Sequence, residues 1–381
     1  MMAKFRILVF LTMLAAAVVG YPTDKTEPMN MTRPMNMTRQ FPAPNAASRT
    51  SSLLVLPQKV TTPYHYWIDP TCVNMIGFPE TFYEAREMAC AAKRRLASKT
   101  DRDFERVFEY VFNAPKNDGT KYQKTDRWKK RNRSGAGKVP LSHVNYIFPG
   151  LCDDWSETYT LDNAHLPFIC DNGAHFNTPI GIANEYDDLV HGIQGGKYYD
   201  PPQTGPTAYT SCGTIKGNQY DGQQQDRCVV TVCDKVYLNP PQGSMGWART
   251  LSAFQQRNSD LSNVQVQMFL GWFPSTTILH EWMHSYPYLL DDRGVGGDPL
   301  KAYGWDNIIV KQPAESLLNA ENYAFLGLWA SLADIRRPDP QQPAQPPSGG
   351  YTLRRPDPAQ QAAVEQSNRE GRLVPYVDIT S

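Results

Sequence analysis

Five residues, His280-Glu281-Trp282-Met283-His284, commit one segment of this chain to helix. Two imidazoles four positions apart share a helical face and lie one turn from each other, close enough to grip a single ion. In that geometry Glu281 projects beside them toward a metal-bound water, which is the arrangement a zinc-dependent peptidase needs. The surrounding run, Pro274 to Tyr286, reads as a short helix with Pro at its start. Trp282 and Met283 fall on the other side of it and are expected to pack into the core.

The length, 381 residues, leaves room for one large domain once both ends are set aside as non-globular. Lys4 and Arg6 precede an apolar run from Ile7 to Val19 that closes on Gly20, the pattern of a secretory signal peptide over residues 1–20. No later stretch is long and apolar enough to suggest a membrane span. Thirty-eight basic and thirty-eight acidic residues cancel, which removes any electrostatic pointer to nucleic acid or a membrane surface. The partners expected are protein or peptide substrates, and the chain is read as a monomer.

Secretion decides how the seven cysteines are read. In an oxidising compartment Cys72, Cys90, Cys152, Cys170, Cys212, Cys228 and Cys233 should supply three disulfides and one spare thiol. Cys152 with Cys170, and Cys212 with Cys228 or Cys233, would close short loops. Residues 21–59 form a polar leader or short pro-segment with the tandem repeat Pro28–Arg33 and Pro34–Arg39. N-x-S/T glycosylation acceptors stand at Asn30, Asn36 and Asn132.

Apolar spacing predicts helices over Pro79–Leu96 and Asp101–Phe112. From Leu141 to Asn263, abundant Gly, Pro, Asn and Asp suggest long loops with a few strands, the clearest over Cys228–Tyr237. Helical stretches are expected around Leu261–Gly271 and over Ala314–Leu332. From residue 336 onward Pro, Gln and Gly dominate and Arg-Arg-Pro-Asp-Pro occurs twice, which reads as a low-complexity tail outside a domain spanning 60–335.

A hydrolytic zinc wants a third protein ligand. His284 is the last histidine, so a three-histidine site of the metzincin kind is excluded. Asp291, Asp292, Asp298, Glu315 and Glu321 remain as carboxylates. His65, His143, His165, His175 and His191 lack ligand spacing and receive no role. No nucleotide or serine-nucleophile motif occurs.

With His280-Glu281-x-x-His284, then Tyr303-Gly304, then Asn319-Ala320-Glu321-Asn322-Tyr323, the chain resembles the aspzincins, the deuterolysin-like secreted zinc metalloendopeptidases best known from fungi. The resemblance implies an α+β, zincin-like fold, mainly helical, with a small sheet flanking the active-site helix. It implies one zinc per chain on His280, His284 and an Asp that the family's D-x-x-Y-G spacing would put at Leu300; a two-residue shift of the loop makes Asp298 the expected ligand, with Asp291 or Asp292 as the alternatives. Glu281 would be the general base toward a zinc-activated water, and Tyr303 a second oxyanion donor. Glu321 stands where the family has an acid, and as a substrate-binding carboxylate it would favour a basic side chain. The alternative is a catalytically degenerate, secreted binding protein on the same scaffold.

Overall fold

The computed structural model describes residues 64–75, 77–114, 116–117, 139–170, 185–188, 193–198, 208–214, 226–233, 250–255, 261–270, 273–285, 287–298, 301–335, 350–353 and 360–375. The signal peptide, the leader and the three glycosylation acceptors lie outside them. Helices and small sheets are mixed, compatible with an α+β assembly.

In chain order the elements that place the site are β1 (Tyr64–Ile68), α1 (Pro70–Val73), α2 (Phe78–Ala97), α3 (Arg102–Phe112), α4 (Leu141–Asp153), β2 (Trp155–Glu157), β3 (Leu166–Ile169), β4 (Ala208–Thr214), β5 (Asp226–Val232), α5 (Leu251–Gln255), α6 (Gln267–Leu270) and α7 (Pro274–His284). They are followed by α8 (Trp305–Ile308), α9 (Pro313–Leu317), α10 (Ala320–Asp334), β6 (Tyr351–Thr352), α11 (Gln361–Arg369) and β7 (Val374–Pro375). The five-stranded sheet runs in the order β2-β1-β3-β5-β4, parallel except for β4, which pairs antiparallel with β5. Every residue of β3 is buried, as expected where both faces of a parallel strand are covered.

Where periodicity is strong and caps are present, the helices fall where expected. In α2 the buried face is Phe78, Phe82, Ala85, Met88, Ala89 and Ala92. Asp101 caps α3 by accepting from the Phe104 N–H at 3.0 Å, so the helix begins one residue later than expected. Gly327 of α10 lets three helices meet: a Cβ there would stand 2.7 Å from the Leu279 side chain of α7 and 3.5 Å from Met88 of α2.

Several expectations are corrected. Residues 141–153, read as loop, form α4 despite Pro149, and Gly150 within it admits the Tyr288 ring, whose hydroxyl would lie 2.5 Å from an added Cβ. The helix expected over 261–271 shrinks to α6, because the Val264 and Val266 backbone groups pair with Leu373 and Gly371 instead. The expected helix over 314–332 is broken into α9 and α10. At the break, Asp291 exchanges backbone hydrogen bonds with Leu318 and Ala320. The strand expected over 228–237 is β5, and residues 234–237 lie outside the described residues.

The disulfides are Cys72–Cys170, Cys90–Cys152 and Cys212–Cys228. The suggested Cys152–Cys170 loop is therefore not formed, while Cys212 and Cys228 face each other across β4 and β5. Cys233 is buried outside these bonds. Among the described residues no helix is long and apolar enough to cross a membrane.

The tail is not a mere appendage. Tyr351, Leu353, Val364 and Leu373 are buried, the Trp305 indole N–H donates to Asn368 O at 3.3 Å, and the Tyr351 hydroxyl accepts from the Leu261 N–H at 3.0 Å. The folded unit extends past 335 to take in 350–353 and 360–375. A few spaced apolar residues suffice when a groove is already present to receive them, which composition averages do not reveal.

Candidate metal centre

α7 carries the pentad and is held from its apolar side. Trp282 is fully buried, with its ring 5.2 Å from Phe82, 5.4 Å from Phe168, 5.5 Å from Trp155 and 5.8 Å from Tyr66, centroid to centroid. Met283 is buried as well. The helix ends at His284, two positions before the expected Tyr286 limit, and the hydroxyl of the capping Ser285 donates to Trp282 O at 2.6 Å.

The turn that follows aims the third carboxylate. Leu289 takes a left-handed conformation (φ 47°), and the Leu290 N–H returns to Met283 O at 3.0 Å. Asp291 is then pinned to the break between α9 and α10. Asp292, the next residue, points back at the two histidines: its Oδ1 is 3.3 Å from His280 Nε2 and 3.4 Å from His284 Nε2, and the two Nε2 atoms are 2.9 Å apart. Beyond it Gly294, Gly296 and Gly297 turn the chain outward. A Cβ on Gly294 would stand 1.4 Å from Asp298 O, and the other two adopt positive φ.

Asp298 is carried away by this glycine turn. Its carboxylate lies 3.6 Å from Lys301 Nζ, and the described residues that could hold an ion together are His280, His284 and Asp292. The carboxylate brought to the two histidines is thus Asp292, not the expected Asp298. Asp292 stands eleven positions before Tyr303 in the chain.

The remaining predicted residues also gather here, in partly different roles. Glu281 is buried, and its carboxylate Oε2 accepts from the Thr210 hydroxyl of β4 at 2.8 Å. The Tyr303 hydroxyl donates to Asp292 Oδ2 at 2.5 Å, so in this arrangement it orients a carboxylate instead of facing outward as an oxyanion donor. Glu321 is buried with both oxygens engaged: Oε2 lies 3.0 Å from His280 Nδ1 and Oε1 accepts from the Gly304 N–H at 3.2 Å. It is a partner of His280, not an open substrate-binding carboxylate. No sequence signal marked Thr210, a single threonine in a short strand.

Tautomers decide what the three converging atoms can accept. Leu290 O, 2.7 Å from His284 Nδ1, can only accept a hydrogen bond, and the Glu321 carboxylate likewise claims a proton on His280 Nδ1. Each neutral ring therefore turns an Nε2 lone pair inward. Asp292 Oδ1 is a third acceptor, buried and without a hydrogen-bond partner among the described residues. Three acceptors face one another, an arrangement that could hold a cation. The triangle they form is small enough for one ion at roughly 2.0–2.1 Å from each corner. Burial lowers both histidine pKa values, yet Asp292 and Glu321 beside His280, and Asp292 beside His284, outweigh it and leave both raised. Burial likewise opposes charge on Asp292, but His284 and His280 hold its pKa well below the ordinary carboxylate range. Burial first, then Asp292, raises the Tyr303 phenol, keeping it a proton donor.

No family model, curated protein or solved structure matches this chain.

Proposed function

We propose that this protein is a secreted zinc-dependent endopeptidase of the aspzincin, deuterolysin-like kind. The observation that carries the reading is the convergence of His280 Nε2, His284 Nε2 and Asp292 Oδ1 as three facing acceptors beside a held Glu281 carboxylate. Two imidazoles and one carboxylate form a donor set suited to zinc. When bound there, zinc would supply Lewis acidity, acidifying a water and stabilising negative charge on a carbonyl oxygen.

The chain's own residues do the rest. Glu281 takes a proton from the attacking water and returns it to the leaving amine as the C–N bond breaks. Glu321 holds the His280 ring by Nδ1, and Tyr303 fixes Asp292. With both Glu321 oxygens engaged, the basic-side-chain preference loses its support, and the proposed activity is general. The three disulfides, and the absence of a membrane-length apolar helix among the described residues, support an extracellular setting.

The test is metal content and casein hydrolysis of the secreted protein beside Glu281→Gln, Asp292→Ala and Asp298→Ala. One zinc per chain is expected, with chelator-sensitive cleavage. Glu281→Gln should keep zinc and lose cleavage, Asp292→Ala should lose both, and Asp298→Ala should keep both. A wild-type protein that holds no zinc, or holds it and cleaves nothing once its leader is removed, is instead the degenerate binding protein.

A further inference from the structure

The structure assigns to Thr210 the positioning of the proposed general base: its hydroxyl, delivered by β4, holds the Glu281 carboxylate toward the reacting water. This rests on the peptidase reading above and deepens it. Thr210 Oγ1 lies 2.8 Å from Glu281 Oε2 and 2.7 Å from Glu281 main-chain O, although the two residues are 71 positions apart. One hydroxyl hydrogen meets two acceptors, and the charged oxygen is the stronger of them. A glutamate side chain has three rotatable bonds. Tying one carboxylate oxygen to a sheet removes most of that freedom and leaves the other oxygen for the water.

The strand itself is anchored for this task. Side chains two apart on a strand share a face, and Thr210 and Cys212 both meet α7. Cys212 Sγ lies 3.8 Å from His284 O and is bonded to Cys228 of the neighbouring strand, directly opposite in register. The disulfide staples β4 to β5 two residues from the threonine, and the backbone of α7 is met at both Glu281 and His284. Metal ligands on α7 and its succeeding turn are thus set by one part of the fold, and the base by another.

The decisive comparison is the zinc-loaded full-length secreted protein against Thr210→Val, which keeps the shape and loses the hydroxyl, and Thr210→Ser, which keeps the hydroxyl. With a fluorogenic peptide, kcat of Thr210→Val should fall roughly tenfold to a hundredfold, the scale of a misplaced reacting group. KM and zinc content should be unchanged, and Thr210→Ser should recover most of the rate. Acetohydroxamate, which gives up its proton on binding a metal, supplies a readout other than turnover; its affinity by calorimetry should drop in Thr210→Val and return in Thr210→Ser. Unchanged kcat or unchanged hydroxamate affinity in Thr210→Val, beside an inactive Glu281→Gln, overturns the assignment and leaves the peptidase reading standing. Equal impairment of the Ser and Val variants, or loss of zinc in Thr210→Val, shows a packing role and overturns it too. A zinc-loaded wild type that hydrolyses no peptide removes the peptidase reading and this assignment together.

Discussion

Glu321 and His280 are joined across 41 residues of sequence, with Oε2 of the carboxylate 3.0 Å from Nδ1 of the ring. The second oxygen takes the Gly304 N–H, so one buried acid ties a proposed ligand on α7 to the turn that carries Tyr303. A carboxylate behind a ligating imidazole fixes its tautomer and raises its basicity.

Replacing Glu321 with Ala should therefore weaken zinc binding by about tenfold to a hundredfold. Glu321→Gln, which can still accept from Nδ1–H, should lose less. Competition against a fluorescent chelator measures both. Equal zinc affinity in the wild type and Glu321→Ala would show that the contact does not support the metal site.

Trp282 sits under the pentad among Phe82, Phe168, Trp155 and Tyr66. Trp282→Ala removes that anchor and should cost about 3–5 kcal/mol of stability. Thermal and denaturant unfolding of the zinc-free protein would show it, and zinc affinity should fall along with the transition midpoint.

Glu84 of α2 supplies a pH dependence outside the candidate metal site. Burial pushes its carboxyl up to about 7, against the lowering effects of the Ser275 hydroxyl at the start of α7 and of backbone N–H groups at Ser252 and Leu251. An acid whose folded pKa lies above its unfolded value binds more protons in the folded state. Its contribution to stability is full below the unfolded pKa of 4.5 and is lost as pH rises through about 7. The change amounts to roughly 3 kcal/mol. Glu84→Gln should flatten this part of the profile, so the drop in unfolding midpoint between acidic and slightly alkaline buffer becomes smaller than in the wild type. A parallel profile in the two proteins would refute it.

The C-terminal segment should be needed for folding. A chain stopped after Ile335 loses the burial of Tyr351, Leu353, Val364 and Leu373 and the backbone bonds of Val264 and Val266 to Leu373 and Gly371. It also uncovers Trp305, two residues from Tyr303. Such a truncation should be poorly secreted and rapidly degraded by added protease, whereas a stop after Pro375 should leave the fold intact. Circular dichroism and limited proteolysis distinguish the two outcomes.

How far the chain can be read in advance varies with the range of the interaction. The capped helix after Asp101 and the long α2 carry their own periodicity. Pro149 and Gly150 look like helix breakers, yet α4 passes through both because Cys152 and the Tyr288 ring hold it from outside. Residues 261–266 have helical spacing, but Asn263, Val264 and Val266 spend backbone groups on Gly371 and Leu373. Composition marked that C-terminal region as inert, because its buried residues are few and widely spaced.

Sequence by itself determined the helix that presents His280, Glu281 and His284 together, since four-residue spacing within one turn is local geometry, and it determined that Trp282 faces inward. It narrowed the third ligand only to several carboxylates. Tertiary structure brings Asp292, not Asp298, beside the two histidines, because the left-handed Leu289 and the pairing of Asp291 at the α9–α10 break turn one carboxylate inward, and the glycines beyond carry the other outward. It likewise brought Thr210 and Glu321 to the site from 71 and 41 residues away. Contacts of that range depend on how separate elements pack, and no local pattern encodes them.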